Sequence, residues 1–193
     1  EQYPGSAFAA DALFQIAKRA YQDKRYLEAA EGFRRVVSQF PGYSGTDQAQ
    51  FLLADAYAQA GKRDEALHAY EQFVGFFPQS ELSPMVSFRL GLLHFEGQNP
   101  MQAAVAFTRV LEESTTTEVR SASLYNLALC NRLLGDHAAA KTGLERYQTE
   151  FPGDSRADDI QYQLGDLEEA AGQFPQAIEH YQKSLAAFPK ASL

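Results

Sequence analysis

Five aromatic side chains fall at one constant interval. Phe14, Phe51, Phe88, Tyr125 and Tyr162 are each 37 residues apart. Four positions after each ring stand Lys18, Asp55, Leu92, Leu129 and Asp166, and three further on Tyr21, Ala58, Phe95, Arg132 and Glu169. Steps of four and three share one face of a helix. The chemistry such a face offers is non-covalent: rings bury a partner's apolar side chains, and Lys18, Asp55, Arg89 and Arg132 set its orientation. The same rings also read as scaffold. The two roles are compatible, because a half-exposed ring packs on one side and binds on the other.

Residue types that carry reactions are poorly placed. His68, His94, His137 and His180 fall in different phases of the 37-residue interval, and none pairs with another at helical spacing, so no metal site is expected. Cys130 sits between apolar residues with no His beside it and reads as core rather than nucleophile. Glu168-Glu169 and Asp158-Asp159 are adjacent pairs, and adjacent helical residues do not face each other. No catalysis and no cofactor are expected.

The bulk composition agrees. Of 193 residues, 25 are acidic and 17 basic, a net charge of −8, which excludes a basic nucleic-acid footprint and a polybasic membrane surface. One cysteine excludes an internal disulfide framework. No apolar run approaches the length of a membrane span.

The elements that must position the rings follow from the same interval. Phe-Pro recurs at Phe40-Pro41, Phe77-Pro78, Phe151-Pro152 and Phe188-Pro189, with Tyr3-Pro4 in phase and Ser114-Thr115 at the missing place. Ala29, Ala66, Ala103, Ala140 and Ala177 form a second column, followed four residues later by Phe33, Tyr70, Phe107, Leu144 and Tyr181. A third holds Ile16, Leu53, Leu90, Leu127 and Leu164, each followed by a small residue. Gly61, Gly135 and Gly172 form a fourth, with Lys24 and Gln98 in the other two places. Apolar spacing within each unit predicts paired amphipathic helices over 7–22 and 26–39, 46–60 and 63–76, 83–97 and 100–113, 118–134 and 137–150, and 155–171 and 174–187. The Gly column breaks each pair and the Pro column ends it. Ser83, Asp154 and Ser155 are expected N-caps, with Pro84 in a first helical turn. The Ala column lets the second helix approach the first closely. One such pair cannot bury its apolar face alone, and stacked pairs can.

These columns resemble the tetratricopeptide repeat. The marks are a large apolar residue then a small one in the first helix (Leu164-Gly165, Leu53-Ala54), Gly at the turn (Gly172, Gly61), Ala then an aromatic in the second (Ala177 and Tyr181, Ala66 and Tyr70), and a closing Pro (Pro189, Pro78). The resemblance covers residues 1–193 as one all-α, right-handed solenoid. Its five repeats are about 10–46, 47–83, 84–120, 121–157 and 158–193, and they read as a segment of a longer array. The unit is three residues longer than the family's usual one. Endings such as Phe77-Pro78-Gln79-Ser80 look like those of bacterial cell-envelope members: outer-membrane assembly lipoproteins, Tol–Pal-associated periplasmic proteins and exopolysaccharide-secretion scaffolds.

The resemblance implies that the first-helix face lines a concave groove for a protein or peptide. The groove would be built by Phe14, Lys18, Tyr21, Phe51, Asp55, Phe88, Arg89, Phe95, Tyr125, Arg132 and Tyr162. The Lys, Asn and Arg cluster with which some members clamp a peptide C-terminus is not matched, so no such clamp is expected. The expected place is the periplasm or cell envelope, the alternative the cytoplasm. Alternative roles are a structural spacer or self-assembly module with an empty groove, and a polysaccharide-binding groove. The first repeat carries six basic against four acidic residues and the fifth two against six, a polarity that fits solvated faces, head-to-tail contact or a polar partner.

Overall fold

The computed structural model describes residues 7–114 and 116–187, leaving Tyr3-Pro4, Thr115 and Phe188 to Leu193 outside the described residues. It divides into two compact units, Glu1–Gly97 and Gln98–Leu193. The described residues form helices joined by short turns, with no strand among them.

The first unit holds α1 (Ala7–Gln22), α2 (Tyr26–Gln39), α3 (Thr46–Gln59), α4 (Arg63–Phe76) and α5 (Ser83–Glu96). Its core is aromatic: Phe14, Phe33, Tyr70 and Phe73 lie among buried alanines. Ala29, Ala66 and the following Phe33 and Tyr70 are sealed from solvent, as their four-residue step requires. α2 approaches α1 tightly at Gly32, where an added Cβ would lie 2.6 Å from that of Ala17. The second unit holds α6 (Pro100–Glu113), α7 (Thr117–Leu133), α8 (His137–Glu150), α9 (Ala157–Ala170) and α10 (Phe174–Ala187). Leu124, Leu144, Tyr147, Ile160 and Leu164 dominate its core.

The turn column is left-handed at all five positions. Gly61, Gly135 and Gly172 have φ of 70°, 79° and 74°, and Lys24 and Gln98 adopt 60° and 59° without being glycine. At four of the five the next residue sends its N–H back over the helix end, as in Arg25 to the Ala20 carbonyl and Lys62 to the Tyr57 carbonyl, both 2.9 Å.

The expected caps are corrected. Ser83 is the first residue of α5, and its hydroxyl donates backward to the Phe77 carbonyl at 2.9 Å. Asp154 accepts from the Arg156 N–H at 2.9 Å, closing a turn before α9, which starts at Ala157 with no side-chain cap from Asp154 or Ser155. Side-chain bonds to the turns between repeats outcompete capping at Ser83 and Asp154. Pro84 does occupy the first turn of α5. Where the third repeat lacks its Pro, Arg120 donates to the Leu111 and Ser114 carbonyls at 2.6 and 3.1 Å, closing the end of α6.

Candidate protein-interaction face

In the first unit, the singled-out residues lie on α1, α3 and α5, the first helices of successive repeats. Phe14 is buried, edge-on to Phe33 at 5.6 Å and tilted against Tyr43, and so is scaffold. Tyr21, Phe51, Phe88 and Phe95 are half-buried, and Lys18 and Arg89 are exposed. Phe51 rests on Tyr70 with centroids 6.4 Å apart and keeps its other side toward solvent.

Asp55 ties these helices together. It is buried on α3. One carboxylate oxygen accepts a close hydrogen bond from the Tyr21 hydroxyl on α1. The other accepts from Tyr70 of α4 at 3.2 Å and faces the Arg89 guanidinium of α5 at 3.8 Å. Burial, then the Asp55 carboxylate, hold both phenols well above the ordinary tyrosine range, so both remain donors at neutral pH. Two phenols and a guanidinium satisfy a carboxylate that would be costly to bury alone.

The second unit repeats the device with different parts. Asp166, three intervals beyond Asp55, is half-buried on α9. It pairs with Arg132 of α7 at 3.1 Å and accepts from Tyr181 of α10 at 3.0 Å. Tyr181 also donates to Glu169 at 2.7 Å. Tyr125 of α7 donates to Asp159 of α9 in a close hydrogen bond; its ring packs edge-on to Tyr147, and the Arg156 guanidinium lies 5.9 Å from its centroid. Tyr162 is half exposed, 5.6 Å from Tyr181.

The sequence reading treated Asp55 and Arg132 as orienting charges. The structure places each in an ion pair inside its own unit. Tyr70 and Tyr181 stand in the sequence only as members of the column that follows the alanines, and the part their hydroxyls play is visible in the structure alone. The signal that could have found the network is the 34-residue offset linking Tyr21 to Asp55, Arg132 to Asp166 and Asp55 to Arg89. It joins a residue of one repeat to the position three places earlier in the register of the next.

Cys130 is buried, and burial pushes its thiol up to about 11. His94 is half-buried, and His180 is hydrogen-bonded to Gln161 at 2.9 Å. Among the described residues no three His, Cys, Asp or Glu side chains converge as a metal site, and no helix is long and apolar enough to cross a membrane.

The family model for YfiO, an outer membrane lipoprotein, matches residues 6–121, and two tetratricopeptide-repeat models match residues 122–154 and 144–192. No curated protein matches the chain significantly. Among solved structures, a MamA protein superposes with a TM-score of 0.77 at 18% identity, covering 95% of this chain and 97% of that one. YrrB, described as a TPR protein with an unusual peptide-binding site, gives 0.74 at 16% over 93% and 86%. PilF of Pseudomonas aeruginosa gives 0.65 at 17% over 94% and 78%. At these identities the likeness speaks for the fold, an all-α tetratricopeptide solenoid, the architecture of protein-interaction scaffolds. With the lipoprotein model covering more than half of its residues and tetratricopeptide repeats the remainder, the chain belongs to the YfiO family of outer membrane lipoproteins.

Proposed function

We propose that this chain is a non-catalytic scaffold of the bacterial cell envelope, acting on the periplasmic side, that takes a segment of a partner protein across the face of α1, α3 and α5. The observation that carries this reading is the Tyr21–Asp55–Arg89 chain, which fastens three successive first helices side by side. A surface held in place before binding loses little conformational entropy when a ligand arrives. Half-buried Phe51, Phe88 and Phe95 offer apolar contact, and exposed Lys18 and Arg89 offer cationic contact. The fitting partner segment therefore carries apolar anchors and at least one carboxylate. In the second unit half-buried Tyr125 and Arg132 and half-exposed Tyr162 offer contacts of the same chemistry. The family description supports the envelope location.

The test is capture of partners from an envelope extract of the source cell by wild type and by a Phe51→Ala/Phe88→Ala variant. Loss of two central ring contacts costs about 2–4 kcal/mol of binding, so capture falls at least tenfold while circular dichroism is retained. Unchanged capture by a folded variant rejects this face as the binding surface.

A further inference from the structure

Within each unit, the second helix of a repeat packs against the first helix of the next, as α4 does on α5, α6 on α7 and α8 on α9. Long side chains bridge two of these junctions. Between α4 and α5, Arg63 donates to the Leu93 carbonyl at 2.6 Å and lies where a Cβ on Gly97 would stand. Between α8 and α9, Lys141 pairs with buried Glu168 at 2.6 Å. The α6–α7 junction lacks both bridges. Pro100 stands at the Arg63 position and Leu134 at that of Gly97, while Ala104 stands at the Lys141 position and Asn131 at that of Glu168. An open groove of about 710 Å³ remains, walled by Met101, Val105, Thr108, Leu127, Asn131 and Leu134.

The rim of this groove is apolar where the other repeats are polar. Val105 is 69% exposed, and its position holds Glu31, His68, Thr142 and Glu179 elsewhere. Thr108 is matched by the longer Arg34, Glu71, Glu145 and Gln182. Met101 and Leu134 are 63% and 44% exposed. Both helices are interior to the chain, with described helices before and after them, so neither is a terminal helix laid bare. A solvated valine and methionine add little to the fold, and a partner that covers them gains their burial.

Charge at the groove itself selects the occupant. Arg109 is the only cation among the lining side chains, and Glu113 pairs with it at 2.8 Å. Glu112 lines the same end, exposed and with no ion pair among the described residues. Asp136 follows two residues beyond Leu134, at the other end. The groove is therefore apolar and negative. A second copy of this chain, at −8, brings like charge to it. The stripe from Met101 to Glu112 runs about 16 Å, or about three helical turns. We propose that this groove docks a basic amphipathic helix of a partner protein. Apolar side chains at steps of three and four seat between α6 and α7, and a Lys or Arg meets Glu112. The site shares no residue with the face proposed on α1, α3 and α5, and it stands or falls without that face.

The experiment is selection of a phage-displayed library of randomised short helices against the full chain, then fluorescence anisotropy with the enriched peptides. Those peptides are expected to carry Leu, Ile or Phe at steps of three and four and a net positive charge. Val105→Asp and Met101→Asp each change an exposed side chain, and each is expected to weaken binding roughly tenfold or more with circular dichroism unchanged. Glu112→Lys weakens it by about threefold at low salt and by less at high salt. Phe51→Ala/Phe88→Ala leaves it unchanged. The proposal is overturned if no helix is enriched, if the enriched peptides are acidic, or if they bind Val105→Asp as they bind wild type. It is overturned equally if wild type self-associates, or floats with anionic phosphatidylglycerol vesicles, and Val105→Asp abolishes that behaviour. The groove would then belong to a second copy or to a membrane.

Discussion

Asp55 and Asp166 occupy the same column in the two units, yet the units fasten their helices on different terms. Asp55 is buried and shared among two phenols and a more distant guanidinium. Asp166 is half-buried and held by Arg132 and by a Tyr181 hydroxyl divided between it and Glu169. The surrounding cores differ in the same direction, Phe14, Phe33, Tyr70 and Phe73 in the first against leucines, an isoleucine and Tyr147 in the second. Neutral donors suit a buried carboxylate, since they bring no second charge to desolvate. A guanidinium suits a wetter site. The repeat therefore fixes where a carboxylate stands, and local burial decides what holds it and how much depends on it.

Removing the two carboxylates is the most direct way to break this comparison. Asp55→Ala leaves the Tyr70 hydroxyl buried without its acceptor and frees α1 from α3. The expected loss is about 3 kcal/mol. Asp166→Ala removes a solvent-screened pair and costs about 1 kcal/mol or less. The chain has no tryptophan, so urea unfolding is followed by tyrosine fluorescence and circular dichroism. Equal losses in the two variants would show that burial does not set the difference.

A second contrast lies where helices touch. Gly32 and Gly143 share a column on α2 and α8. A Cβ at Gly32 would meet the Ala17 Cβ at 2.6 Å, whereas one at Gly143 would meet that of Ala128 at 3.2 Å. Gly32→Ala forces α2 away from α1 and is expected to cost about 1–3 kcal/mol. At Gly143 a small shift accommodates the methyl, and the gain in helix propensity of up to about 1 kcal/mol offsets it, leaving stability near wild type. Thermal unfolding of the two variants checks this, and a stabilised Gly32→Ala would contradict the packing argument.

Most of the helices were legible because hydrophobic spacing and the Gly and Pro columns act locally and recur. The caps expected at Ser83 and Asp154 do not form because those side chains serve the turns between repeats, a competition that residue type alone does not resolve. The proposed face can be read from the sequence as a set of positions along the first helices. The division of labour within it cannot, because Phe14 is sealed by Phe33 and Tyr43, and Asp55 by residues 34 positions before and after and 15 after.

Smaller effects sharpen the contrast by acting alike in both units. Lys24, in the first, and Gln98, in the second, hold the left-handed turn that glycine holds elsewhere. A side chain there costs about 1 kcal/mol, so Lys24→Gly and Gln98→Gly are each expected to stabilise by up to that amount. Gly135→Ala loses a similar amount. If the two glycine variants differ markedly, the turns are not equivalent and the repeat's uniformity ends at its loops.

The smallest effect separates the units by pH. Burial depresses the His94 imidazole below the ordinary histidine value; Arg63 adds to this and Glu71 opposes it. Its Nδ1 is buried without a hydrogen-bond partner, so the neutral ring is the form the fold accepts. A histidine whose folded value is lowered binds its proton more readily when unfolded. Stability is then level above the unfolded value of about 6.5 and declines as the pH falls below it. His94→Phe removes that decline while keeping the ring volume. Stability measured at pH 7.5 and pH 5 should therefore converge in the variant. A wild-type slope that survives the substitution would assign the acid sensitivity to other groups.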